Sequence, residues 1–150
     1  VLPRLDRNGL ETLDRAECLR LLGAHCFGRI GLSLGALPTV LPVTYRLVGE
    51  EVVFRTGAGE KLAAATSGVV VAFEVDEMDV MSRSGWSVVV TGVAREIVDL
   101  TELEEADRSG IPRWIADTGA RTVALSTELI DGRRLNPISS ARTGSDRDDI

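Results

Sequence analysis

Histidine, cysteine, long apolar runs and positive charge are all in short supply in this 150-residue chain. His25 is the sole histidine. It has no second histidine to ligate a metal with it and no recognisable nucleophile elbow nearby, so metal-ligand spacing and a Ser-His-Asp arrangement are both absent. Cys18 and Cys26 form no C-x-x-C pair and no disulfide framework. They read as buried or half-buried thiols in a reducing compartment. No apolar run reaches the roughly 18 residues of a membrane span, and residues 1–8 are too charged for a signal peptide, so a cytoplasmic protein with no membrane partner is expected. The 17 Lys and Arg against 23 Asp and Glu leave a net charge of -6 and a pI near 4.8. That balance opposes a nucleic-acid partner, whose affinity rests on neutralising many phosphates. A single small phosphate ligand needs only a local pair of cations.

What is present fits one domain, and a chain of this length buries roughly 68 to 70% of its unfolded surface without a covalent staple. Leu13-Asp14-Arg15-Ala16-Glu17-Cys18 reads as a helix start, with Asp14 capping and Glu17 reaching back. Cys18, Leu21 and Leu22 share a face, Gly23 ends the helix, and His25 falls in the following loop as surface filler. From Gly28 the apolar period changes to two, predicting strands over 28–34 and 39–47. Pro42 interrupts the second. It cannot donate to a ladder, so it marks an edge, a bulge or an opening where backbone groups can meet a planar ligand.

Further strands are expected over 51–56, 69–75, 85–97 and 121–129, with short helices over 60–66 and, capped by Thr101, 101–109. Gly92 suggests a bulge or a close approach by another backbone. Glu74 and Asp76 read as a polar strand end, with paired acid-base carboxylates as the alternative. Trp86 is either core packing or a ligand or subunit contact. Arg133 and Arg134 read as a solvated chain end or as partners of an anionic substrate. Residues 136–150 form a polar tail expected to be poorly ordered. Six mostly hairpin-linked strands with helices at the gaps fit a mainly β, six-stranded antiparallel barrel over residues 1–135.

The richest stretch is Val53-Phe54-Arg55-Thr56-Gly57-Ala58-Gly59-Glu60-Lys61-Leu62. Arg55 and Lys61 supply cations and Thr56 a hydroxyl. The glycines free backbone amides, and a helix starting near Glu60 adds unpaired N–H groups, all of which suit an anion pocket. A plain hairpin exit with a solvated lysine fits these residues equally well. The loop is no Walker A sequence, because Leu62 follows the lysine, and no G-x-G-x-x-G fingerprint.

Phe54-Arg55-Thr56-Gly57-Ala58-Gly59-Glu60-Lys61-Leu62, together with Leu41-Pro42-Val43-Thr44-Tyr45, Phe73-Glu74-Val75-Asp76 and Gly85-Trp86-Ser87-Val88-Val89-Val90-Thr91-Gly92, resembles the pyridoxamine 5'-phosphate oxidase-like family, in its small actinobacterial-type form. The four motifs stand in the family's order, and the resemblance spans about residues 12 to 135. It implies an FMN-binding split barrel, a homodimer with FMN at the subunit interface, and an oxidoreductase moving hydride to or from a small-molecule substrate. By that resemblance Arg55, Thr56 and Lys61 hold the FMN phosphate, with Leu62 beside them. Pro42, Val43 and Thr44 line the isoalloxazine, and Trp86 and Ser87 reach in from the partner. The family's substrate-gripping C-terminal arginine and histidine are matched only in part, by Arg133 and Arg134, so vitamin B6 oxidation is not implied. A deazaflavin or haem is the alternative cofactor, and binding or carriage without turnover the alternative role.

Overall fold

The computed structural model describes residues 2–57, 68–112 and 120–136. Lys61, Leu62, the helix expected over 60–66 and all but the first residue of the expected tail lie outside these. The elements are β1 (Glu11–Leu13), α1 (Arg15–Ala24), β2 (Phe27–Leu34), β3 (Leu37–Val48), β4 (Glu51–Thr56), β5 (Val70–Asp79), β6 (Ser84–Ile97), α2 (Leu100–Arg108), β7 (Arg121–Ser126) and β8 (Leu129–Leu135). Neither helix is long and apolar enough to cross a membrane.

Local chemistry explains both helices. Asp14 accepts from the Glu17 amide at the start of α1, as its position predicts. At α2 the cap is Asp99, accepting from the Glu102 amide, and not Thr101, because an aspartate caps more strongly and lies three residues ahead of Glu102. Helix α1 also runs through Gly23 to end against His25.

The strands close into a six-stranded antiparallel barrel. The order β6-β5-β2-β3-β4-β7 returns to β6 through a second pairing, and β8 and β1 extend outward from β6. Strand β6 makes this possible by changing partner. Its first half, Gly85 to Thr91, pairs with β8, and its last residues, Ala94 to Ile97, pair with β7. Gly92 sits at the changeover, where an added Cβ would stand 3.4 Å from Leu125 Cδ1 and 3.6 Å from the Ser126 carbonyl, ordinary contact and not the close backbone approach expected there. Followed around the barrel, the ladder registers come back to β6 about ten residues farther along, the stagger that closure of tilted strands requires.

Alternation fills the interior with Ile30, Tyr45, Phe54, Phe73, Val88, Val90 and Leu125, all fully buried, and α1 plugs one end with Cys18, Leu21 and Leu22. Tyr45 donates its hydroxyl to the Leu22 carbonyl at 2.7 Å, tying helix to barrel. A second, smaller cluster forms outside the wall, where Ala106 and Ile111 cover Val53, Ile97 and Ala124.

One boundary differs from the sequence expectation. The stretch 121–129 is not a single strand, because Thr127 turns inward, is buried, and donates to the Glu50 carbonyl. The chain then forms β8, so Arg133 and Arg134 belong to a paired strand instead of a solvated end. Gly132 lets β8 pass flush over α1, since a Cβ there would lie 2.5 Å from the Cys18 sulfur.

Candidate functional site

Two places on the barrel gather the residues singled out by sequence. The first is the outer wall at the β3–β4 side. Because Phe54 points into the core, Arg55 points out. Its side chain is only 15% exposed, and it pairs with Asp107 near the end of α2. Ala106, buried beside Val53 and Ala124, fixes that helix turn in place. Thr44 faces the same side and donates its hydroxyl to the Pro112 carbonyl at 2.8 Å. Pro42 is exposed on the stretch of β3 that pairs with β2; among the described residues the β3–β4 ladder covers Tyr45 to Val48.

The inward positions behave differently. Val43 is buried in the core, so only its main chain reaches the outer wall. Thr56 is buried as well, its hydroxyl turned toward the Arg121 carbonyl at 3.5 Å. Of the proposed phosphate residues that are described, Arg55 alone offers a side-chain donor on the outer face.

The second place is a cleft of about 280 Å³ at the start of β6, lined by Trp86, Gly85, Ser84, Glu77, Arg134 and Asn136 among others. Trp86 packs partly against the core and lies 4.8 Å from the His25 ring at 50°, with His25 Nε2 3.8 Å from Glu77. His25 is thus part of the cleft's surround, not loop filler. Its sequence position gave no signal, because the helix end that carries it meets β6 only in the fold. Ser87 stands next to Trp86 on the opposite face of β6, opposite Asp76 and Arg133.

The cleft's cation is already engaged. Arg134 donates to Glu17 at 2.8 Å and lies 3.8 Å from Glu11, and Arg133 bonds Asp6 and Asp131. Glu17 is held down to about pKa 2, first by Arg20 and then by Arg134. Between the two places, Arg29 bridges Glu74 at 3.4 Å and Asp76 at 3.7 Å. Burial, then Asp76, raises the Glu74 carboxyl above its ordinary range. Asp76 is exposed, as a polar strand end should be, while Glu74 is half-buried, and both are tied to Arg29 on the outer wall.

One chain does not bring the two places together. From Arg55 the wall passes through β3, β2 and β5 before reaching the start of β6, four strand spacings or about 19 Å at about 4.8 Å each. In the other direction Arg55 adjoins Thr122, which adjoins Ile97 at the far end of β6. Among the described residues no group of His, Cys, Asp and Glu could hold a metal ion.

The closed six-stranded antiparallel barrel with its flanking helices is the split-barrel fold. A family model described as pyridoxamine 5'-phosphate oxidase matches residues 14–134, and the chain belongs to that family. An uncharacterized protein of Mycobacterium tuberculosis is 37% identical to it over 136 residues, covering 87% of this chain and 88% of the relative. Among solved structures, an FAD binding protein from Mycobacterium smegmatis is 34% identical, with a TM-score of 0.73 over 83% of this chain and 99% of that one. A provisionally named pyridoxamine 5'-phosphate oxidase from Corynebacterium glutamicum is 27% identical, with a TM-score of 0.74 over 85% and 98% of the two chains.

Proposed function

We propose that this protein is a homodimeric flavin-dependent oxidoreductase that holds FMN between its two copies and moves hydride between the flavin and a small molecule. The observation that carries the reading is the separation of the half-sites: a half-buried arginine on one wall and an aromatic cleft elsewhere, which a second copy can bring face to face. An apolar outer wall supports the pairing. Val40, Val70, Val93 and Leu129, on β3, β5, β6 and β8, are each more than half exposed, a concentration typical of interaction surfaces.

Arg55, the main chain of Thr56, and Lys61 with Leu62 would hold the phosphate. Pro42, Thr44 and the Val43 backbone would line the ring, and Trp86 and Ser87 of the second copy would close the site. A phosphate monoester carries about -1.5 to -2 charges near pH 7, and charge-assisted bonds to arginine are roughly twice as strong as neutral ones. The bound flavin would supply the redox chemistry, while the chain's residues bind it, orient it and exclude water. With no histidine after His25, and Arg133 and Arg134 committed to carboxylates, the substrate is read as something other than a vitamin B6 phosphate. The free thiols Cys18 and Cys26 suit a cytoplasmic setting.

A second reading, binding or carriage of a flavin without turnover, is favoured by the Mycobacterium smegmatis relative, which is described by binding alone. The visible spectrum of the purified protein, followed by titration with FMN, FAD and riboflavin, tests the proposal. A yellow protein that binds FMN about tenfold or more tighter than riboflavin is expected, since only FMN presents the phosphate to Arg55. A colourless protein that leaves FMN fluorescence unquenched would overturn the reading, and a haem or deazaflavin spectrum would replace the cofactor. Reduction of the bound flavin by NAD(P)H and its reoxidation by an acceptor would decide for turnover over carriage.

A further inference from the structure

Arg55 does not wait for its ligand uncompensated: its guanidinium is paired with Asp107 of α2. The two ends of that pair differ. The arginine is 15% exposed and set on a strand, whereas the aspartate is 61% exposed and can rotate into water without leaving a buried charge behind. Its backbone cannot follow, because the adjacent Ala106 is 1% exposed and packed against Val53 and Ala124, and Ile111 and the Thr44–Pro112 bond hold the segment after the helix. A carboxylate is therefore kept within reach of the cation that a ligand phosphate would use.

We infer that Asp107 is the resident counter-ion of Arg55, displaced when a phosphate-bearing ligand binds, and that it sets both the affinity and the selectivity of the site. The inference rests on the proposed phosphate role of Arg55. Exchange favours an anion that outbids a carboxylate. A phosphate monoester with nearly two charges and three acceptor oxygens does so, while a neutral flavin gains nothing by displacing Asp107. The carboxylate thus lowers affinity for every phosphorylated ligand and leaves riboflavin untouched. Its effect on selectivity is to narrow the preference for FMN over riboflavin that Arg55 creates, and it takes no part in catalysis.

The test is a set of equilibrium titrations on the full-length protein with FMN, FAD and riboflavin, comparing wild type with Asp107→Asn, Arg55→Ala and, as a control for net charge, Glu105→Gln on the exposed side of the same helix. Asp107→Asn should tighten FMN by about fivefold, the upper range for an exposed ion pair, with riboflavin unchanged and Glu105→Gln close to wild type. Looser FMN binding in Asp107→Asn would make the aspartate a buttress that orients Arg55 and overturn the inference. Equal tightening by Glu105→Gln, or an equal change for riboflavin, would overturn it too. If wild type prefers FMN and Arg55→Ala abolishes the preference while Asp107→Asn changes nothing, the counter-ion role alone falls. If wild type binds FMN and riboflavin equally and Arg55→Ala alters neither, the phosphate role of Arg55 falls, and the inference with it.

Discussion

Replacing Gly28 with alanine should destabilise the barrel, and the structure says by roughly how much. A Cβ at that position would stand 2.6 Å from Phe73 Cζ and 2.8 Å from the Glu74 carbonyl oxygen. The oxygen belongs to the β5 residue that pairs with Arg29 in the β2–β5 ladder. The Phe73 ring is fully buried, edge-on to Tyr45 at 4.8 Å. Neither neighbour yields easily, and overpacking of this kind costs about 1–3 kcal/mol. Gly→Ala also restricts the unfolded chain, which returns about 0.4–1 kcal/mol. The net expectation is a loss of about 1–2 kcal/mol, and with a chain of this size it lowers Tm by about 2–8 °C. Gly92→Ala is the matched comparison: its nearest neighbours would be Leu125 Cδ1 at 3.4 Å and the Ser126 carbonyl at 3.6 Å, at the edge of ordinary contact. It should stay within about 0.5 kcal/mol of wild type. Urea denaturation followed by circular dichroism, at one fixed protein concentration, measures both. A Gly28→Ala protein as stable as wild type, or a Gly92→Ala protein as damaged as Gly28→Ala, would refute the packing argument.

Two further outcomes follow from named contacts. Tyr45→Phe removes the bond to the Leu22 carbonyl and should lower stability by about 0.5–1.5 kcal/mol in the same denaturation assay; an unchanged midpoint would mean α1 is anchored by its apolar face alone. Glu17, lowered from an ordinary 4.5 to about 2 by Arg20 and Arg134, contributes stability that is fully present above about pH 4.5 and lost as pH falls toward 2. A Tm series from pH 7 to pH 2.5 should therefore fall more steeply for wild type than for Glu17→Gln, and parallel curves would contradict that assignment.

The sequence was most readable where the signal is local. Asp14 three residues before Glu17 and the two-residue period through Ile30 and Leu32 each carry their own cause, and the helix and the strand are found where those causes put them. It was least readable where the cause is distant in sequence. Nothing near Arg55 announces Asp107, which is 52 residues away and reaches it only because Ala106 packs α2 onto β4. His25 meets Trp86 only once α1 plugs the barrel. The Asp131-Gly132-Arg133-Arg134 stretch looked solvated because its charges hid a strand; each arginine finds a carboxylate from the N-terminal segment or α1. At 99 against 101 two capping residues competed, and the aspartate won.

Complementation between two variants that should each fail alone tests whether the flavin is held between two copies. Arg55→Ala removes the phosphate cation from one half-site, and Trp86→Ala removes the aromatic from the other. If each site takes Arg55 from one copy and Trp86 from its partner, co-expressing the two variants yields mixed dimers with one intact site each, restoring flavin to about a quarter of all sites when the copies pair at random. That recovery is the expected result, read as FMN bound per chain. Flavin content no higher in the mixture than in either variant alone would contradict it.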